Sequence, residues 1–214
     1  MEREKAERVE ATYRRIGRRW VYNALLFSSF QGWEPIIRRR AVARLELRPG
    51  DAVLDVGCGR GANLAYLVRA VGLEGRIVGV DFSPTMLAGA QQLVQRKGWQ
   101  NVELVELDAA KMTFEREFDG ALETLALTVI PDWQGALGRM VAASRAGGRV
   151  VTFDGRYGSG LRSVWNPYYR ILSRIVAADL NRDISGACRK LLTDVRDEAI
   201  FVSNAYIVSG RVPS

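Results

Sequence analysis

The stretch VLDVGCGRGAN, Val53 to Asn63, decides the fold. A short apolar run delivers an acid, Asp55. Glycines follow at 57, 59 and 61, and helical periodicity starts directly after them. Glycine at such a turn lets the backbone bend sharply and lets a ligand lie against bare peptide where any Cβ would clash. A strand, a glycine-rich turn and a helix in that order form the first βα turn of a doubly wound sheet, where such folds bind nucleotides.

The surrounding sequence repeats the alternation. Strands are expected at Ala52–Val56, Arg76–Val80, Val102–Glu106, Gly120–Thr124 and Arg149–Phe153. Between them, helical periodicity covers 62–71, a segment begun by Ser83 as N-cap with Pro84 behind it, and a segment capped by Asp132 running to about Ser144. Asn166-Pro167 opens a further helix, and Val195–Phe201 with Ala205–Val212 read as a terminal hairpin of strands. Alternation of this kind implies a mostly parallel sheet covered on both faces. Upstream, residues 2–19 read as a charged helix and IIRRRAVARLEL, from Ile36, as a second. A single domain is expected: a basic helical preamble over 1–48, a core over 49–155, and a helix and hairpin over 156–214.

Composition excludes several classes. The 214 residues contain no histidine, so Ser-His-Asp triads and zinc hydrolases drop out. Cys58 and Cys188 have no metal-ligand or disulfide spacing, and no metal site is expected. No apolar run has transmembrane length and Met1–Lys5 is too charged for a signal peptide, so a cytoplasmic location is expected. Of the formal charge of +7, residues 1–48 carry +6.

The glycine spacing separates two ligands. Dinucleotide enzymes use G-x-G-x-x-G, with a pyrophosphate at the helix N-terminus. Here the run is D-x-G-x-G-x-G. An acid in that place repels a diphosphate and suits a ligand carrying an amino group and a sulfonium. Asp81 closes the second strand, where an acid meets the two ribose hydroxyls of an adenosine. Phe82 can pack on the adenine, and Asp108-Ala109 stands where a carboxylate can accept from the adenine amino group. Read singly, each acid is equally a turn former; in register with successive strand ends, they point together to a nucleoside.

VLDVGCGRGANL, GVDFSPTMLAGAQ, ELDAA, FDGALETLALTVIPDW and AGGRVVTFD resemble the class I S-adenosylmethionine-dependent methyltransferases over about residues 50–155. The preamble YNALLFSSFQGWEPIIRRRAVARLELRPGD is similar to that of the ubiquinone/menaquinone C-methyltransferase and phospholipid N-methyltransferase-like group. It departs at Tyr22-Asn23, where that group has Tyr-Asp. The resemblance implies an α/β fold, a doubly wound, mostly parallel seven-stranded sheet of order 3-2-1-4-5-7-6 with an N-terminal helical lid. It implies S-adenosylmethionine as cofactor and S-adenosylhomocysteine as product. Gly57, Gly59 and the peptide at Cys58 would lie along the methionine moiety, with Asp55 near its amino group. Asp81 would hold the ribose, Phe82 the adenine face, and Asp108 with Ala109 the adenine edge. Thr124–Leu127 would face the methyl group, and Tyr13 and Tyr22 would close over the sulfonium.

The acceptor is less constrained. Glu123 and Asp154 are the acids near the reacting face, either as a base or as solvated loop acids. Glu123-Thr124-Leu125-Ala126 stands where enzymes that methylate exocyclic base amines carry N/D-P-P-Y/F. Leu161, Val164, Trp165, Tyr168, Ile171, Leu172, Ile175 and Val176 form one apolar face, with Arg162, Arg170 and Arg174 off it. That face is either packed on the sheet or a cap over a lipophilic acceptor. With Arg14, Arg15, Arg18, Arg19 and Arg38-Arg39-Arg40, it favours a lipid head-group amine or quinone-like acceptor and peripheral association with an anionic membrane, ahead of a soluble small metabolite. An NAD(P)-dependent oxidoreductase is disfavoured by the glycine spacing and by the lack of a Tyr-x-x-x-Lys pair. Nucleic-acid binding, suggested by a pI near 9.8, is disfavoured because the basic residues are interleaved with glutamates. The sequence leaves the oligomeric state open.

Overall fold

The computed structural model describes residues 9, 11–12, 32–200 and 204–214. Tyr13, Tyr22, Arg14, Arg15, Arg18 and Arg19 lie outside the described residues, and with them most of the expected lid.

Helix α1 (Glu34–Ala43) leads into β1 (Ala52–Val56), α2 (Leu64–Val71), β2 (Arg76–Asp81), α3 (Pro84–Lys97), β3 (Val102–Glu106) and β4 (Phe118–Thr124). Then follow α4 (Trp133–Ala143), β5 (Ser144–Gly155), α5 (Asn166–Ile175), α6 (Ile184–Leu191), β6 (Thr193–Ala199) and β7 (Ala205–Arg211). Short 3₁₀ turns cover Ala109–Lys111 and Gly160–Trp165. The seven strands form one sheet in the order β3-β2-β1-β4-β5-β7-β6, as the resemblance implied. β7 runs antiparallel to β5 and β6, and the pairs from β3 to β5 are parallel.

Side-chain alternation sorts the core into two layers. Val53, Ile77, Leu122, Val151 and Phe153 face α1, α2 and α3, meeting Ile37, Ala41, Leu64, Leu67 and Val94. Leu54, Val78, Ala121 and Val150 face the other way, onto Ala136, Leu137 and Met140 of α4 and Ile184 and Cys188 of α6. Burial on both faces is why the central strands read as continuous apolar runs. The order places the topological switch between β1 and β4, so the carboxyl ends of β1, β2 and β4 open onto one crevice.

The expected caps are present: the Ser83 hydroxyl accepts from Met86 N–H and the Asp132 carboxylate from Gly135 N–H. Three expectations need correction. β5 begins at Ser144 rather than Arg149, because the irregularity at Ala146-Gly147-Gly148 is absorbed as a register shift against β4. α6 was not anticipated; Asp183 caps it by accepting from Gly186 N–H, and Ile184 and Cys188, one turn apart, are its buried face. The 161–176 face is neither continuous nor packed on the sheet. A 3₁₀ turn precedes α5, Leu172 is buried, and Leu161, Val164, Trp165, Tyr168, Ile171 and Ile175 are exposed.

Leu122 sits on β4, the strand that bridges β1 and β5, with its side chain fully buried. Leu122→Ala should destabilise the protein by about 2–5 kcal/mol. Urea unfolding should show a lower midpoint with an unchanged slope.

Candidate functional site

Four strands end in buried carboxylates: Asp55 on β1, Asp81 on β2, Glu123 on β4 and Asp154 on β5. A buried carboxylate must be hydrogen-bonded or protonated. Asp81 accepts from Gly59 N–H at 2.8 Å with one oxygen and from Ser83 N–H at 2.9 Å with the other. It therefore ties the glycine turn after β1 to the start of α3. Burial is the main reason its pKa rises from 3.8 to about 6, and the two backbone N–H groups oppose the rise.

The turn itself needs glycine. Gly57 has φ +66° and a Cβ there would overlap the Ala126 methyl. Gly59 has φ +56°, and its open side faces Met86 Cε at 3.7 Å. Gly57, Gly59, Asp81, Phe82, Asp108, Ala109 and Thr124 all line one cavity of about 620 Å³, a size suited to a nucleoside-sized ligand. Met86, Val80 and Leu107 add apolar wall on the β2 side, and Leu125, Ala126, Val129, Ile130 and Pro131 on the β4 side. Asp108 caps the 3₁₀ turn by accepting from Ala110 N–H at 3.1 Å and pairs with Lys111. The glycine cradle, the buried acid and the apolar walls fit an adenosine bearing a cationic tail.

Asp55 and Cys58 do not line the cavity. Asp55 lies under the turn, fully buried, with one oxygen accepting from Asn63 Nδ2 at 2.7 Å. Its other oxygen has no hydrogen-bond partner among the described residues. Burial lifts its pKa to about 7 against the Asn63 hydrogen bond and the Arg38 charge, while the Asp81 charge adds a smaller push upward. The peptide N–H of Cys58 donates to Val80 O at 3.0 Å. Its thiol is buried between two acids and pushed up, so it stays protonated.

Glu123 is also absent from the cavity wall. It lies beneath the loop after β4, where its carboxyl accepts from the N–H groups of Ala126 and Leu127. Asp154 holds the same loop, accepting from Thr128 N–H at 3.0 Å and from the Thr128 hydroxyl at 2.6 Å. Burial raises both acids, and the neighbouring Asp154 charge adds to the rise of Glu123. The Arg182 guanidinium donates to the carbonyls of Leu127 and Ile130 from the other side. This framework keeps Leu125, a bulky residue, at φ +62°, a conformation that costs about 1–3 kcal/mol.

Two residues escaped the sequence reading. Arg38 on α1, expected on a basic surface, is buried; it donates to Asn63 Oδ1 at 2.9 Å and to the Thr124 hydroxyl, and pairs with Glu34. Asn63 Nδ2 also donates to the Thr124 hydroxyl at 2.9 Å. α1, the glycine turn and the end of β4 are thus joined by one polar network. The i,i+4 spacing of Glu34 and Arg38 was the available signal, masked by the neighbouring arginines. Arg40 and Arg44 pair with Glu198, which leaves Arg39 as the exposed member of the triplet without an acidic partner among the described residues.

Residues 53–148 match the family model of a methyltransferase domain. A demethylmenaquinone methyltransferase of Desulfitobacterium hafniense is 33% identical over 156 residues, covering 71% of this chain and 60% of the relative. One of Bacillus cytotoxicus is 29% identical over 177 residues, covering 80% and 73%. The chain therefore spans about three-fifths to three-quarters of the length of these two relatives. Among solved structures, the fold is similar to that of a Haemonchus contortus phosphoethanolamine N-methyltransferase in complex with S-adenosylhomocysteine. The TM-score is 0.70 at 18% identity, over 87% of this chain and 54% of that one. A Streptomyces coelicolor geranyl diphosphate C-methyltransferase gives 0.67 at 14% identity, over 84% and 79%.

Arg38→Met should cost about 3–5 kcal/mol, because it strands Glu34 and the acceptor side of Asn63 without a cation. The loss should grow with pH. Asp55 binds its proton more tightly folded than unfolded, so its contribution lowers stability as pH rises from 3.8 to about 7. Without the Arg38 charge that window extends upward. Urea unfolding at pH 6 and pH 8 should show the larger deficit at pH 8; equal deficits would separate Arg38 from Asp55.

Proposed function

We propose that the chain is a class I S-adenosylmethionine-dependent methyltransferase, with S-adenosylmethionine as cofactor, and that it methylates a lipophilic acceptor, either a lipid head-group amine or a quinone-like ring. The observation that carries the cofactor site is Asp81. Each of its oxygens is anchored by one backbone N–H and keeps a second lone pair, at the rim of the cavity, for a ribose hydroxyl. The apolar β4 side of the cavity, with two demethylmenaquinone methyltransferases among the relatives, supports a lipophilic acceptor.

When bound, S-adenosylmethionine supplies a methyl group on a positively charged sulfur. The protein's task is to hold that carbon in line with the acceptor and keep water out. Positioning of this kind can supply about 7–11 kcal/mol of the barrier. Gly57 and Gly59 would let the methionine moiety lie against the turn, Phe82 would pack on the adenine, and Asp108 with Ala109 would read its edge. Thr124 and the rigid loop from Leu125 to Pro131 form the wall beside the acceptor. That apolar wall favours the neutral form of an amine acceptor by desolvation. Glu123 and Asp154 serve by holding this loop from below.

Asp81→Ala removes two charge-assisted hydrogen bonds of about 1.5–3 kcal/mol each. Affinity for S-adenosylhomocysteine should fall by about tenfold to a hundredfold or more. In the parent, affinity should weaken as pH falls through about 6, where the raised pKa of Asp81 neutralises the accepting carboxylate. Calorimetry on folded protein reads both effects, and an unchanged affinity in the variant would remove Asp81 from the site.

Transfer of tritium from methyl-labelled cofactor into separate lipid and aqueous cell extracts tests the acceptor. Label is expected in the lipid fraction. Label confined to the aqueous fraction would replace the lipophilic acceptor with a soluble metabolite.

A further inference from the structure

We infer that the segment between β5 and α6 is a docking surface for an anionic lipid bilayer, a step that rests on the lipophilic-acceptor reading and adds where the acceptor is met. Residues 155–178 contain four arginines and no acid. Arg156 is taken up by Asp197. Arg170 and Arg174 are exposed and form no ion pair among the described residues.

The same segment turns its apolar side chains outward. Leu161 is 96% exposed, Val164 72%, Ile171 63% and Trp165 56%, with Tyr168 and Ile175 also exposed. Positions 164, 168, 171 and 175 follow helical spacing, so they fall on one stripe of the 3₁₀ turn and α5. Tyr169, Leu172 and Ser173 fill the buried face instead. One exposed apolar residue needs no explanation, but six within fifteen residues form a patch of the kind that marks an interaction surface. An apolar stripe with arginines beside it and no acids matches a bilayer with anionic head groups, where apolar side chains enter the interface and guanidinium groups meet phosphate.

The patch is braced within the segment at its start and fixed to the cavity rim at its end. At its start, the Asn166 side chain bonds Gly158 at both N–H and carbonyl. At its end, Asp179 N–H donates to Thr128 O at 2.8 Å and Arg182 grips Leu127 and Ile130. Leu125 to Pro131 is the apolar wall of the cavity, so a bilayer seated on the patch lies next to the acceptor side of the site. No described helix is long and apolar enough to cross a membrane, so the seating is peripheral. A second copy is a poorer occupant. A twofold contact through this face would bring Arg170 and Arg174 of both copies together without an acid in the segment to offset them.

The test uses the full chain with vesicles of phosphatidylglycerol mixed with phosphatidylcholine, and vesicles of phosphatidylcholine alone. Co-sedimentation should show binding to the anionic vesicles only, weakening with salt. Arg170→Gln/Arg174→Gln should lower that binding by about thirtyfold. Trp165→Ser/Ile171→Ser should lower it by about tenfold or more. Three results overturn the surface: anionic vesicles left unbound by the parent, both variants binding like the parent, or a parent dimer in sedimentation velocity that Trp165→Ser/Ile171→Ser dissociates while vesicles are ignored. Affinity for S-adenosylhomocysteine, read without vesicles, reports on the methyltransferase reading alone. Vesicle binding absent with cofactor binding intact therefore overturns only the docking surface.

Discussion

Four carboxylates buried at the carboxyl ends of parallel strands are the constraint on which the rest of the structure depends. Each must find donors at the edge of a sheet whose own N–H groups are already committed to the ladder. The donors come from the following loops: Gly59 and Ser83 for Asp81, Ala126 and Leu127 for Glu123, Thr128 and Gly155 for Asp154. Among the described residues, Asp55 accepts from a side chain and from no backbone N–H, its donor being Asn63. Loops that would otherwise be free to vary are fixed, because moving one strands a charge. The cavity is the space these loops leave between them.

That arrangement also sets the electrostatics. Desolvation dominates at all four acids and raises every one of them. A cation arriving beside Asp81 would recover part of that cost, whereas a diphosphate would deepen it. The glycine turn thus selects for a positively charged ligand through the acids around it, and the glycines supply only room. Arg38 is the counterweight already built in. It lowers Asp55 and, through Asn63 and Thr124, couples α1 to both sides of the switch point. This is how the amino-terminal part of the chain comes to bear on the site.

The central sheet was legible because its signals are local. Apolar runs bounded by glycine, the Ser83-Pro84 start and the Asp132 cap each act within a few residues, and all appear where expected. The cavity-lining residues Gly57, Gly59, Asp81, Phe82, Asp108, Ala109 and Thr124 were legible as a register of strand ends. Side-chain direction was not. Asp55 and Glu123 sit one residue before the strand end and Asp81 on it, and only the pleat with the following loop decides which carboxylate reaches the crevice. Arg38 was misread because three consecutive arginines look like a charged surface, while helical spacing turns one of them inward. α6 was missed because an eight-residue helix with only two buried apolar positions, Ile184 and Cys188, carries little periodicity.

The segment from 155 to 178 was ambiguous for a related reason. Its apolar positions fit either a packed helix or an exposed cap, since periodicity reports that a face exists and not what lies against it. What separates the two is the space already filled. β5 is paired by β4 and β7, α4 and α6 occupy one face of the sheet, and α1, α2 and α3 occupy the other. Leu172 and Tyr169 anchor α5 to what remains, and the stripe from Val164 to Ile175 is left over. An excess of apolar surface at the rim of a cavity whose acceptor wall is itself apolar follows naturally if the acceptor arrives from an apolar phase. The absence of acids from the same 24 residues then sets the sign of the surface that phase must present.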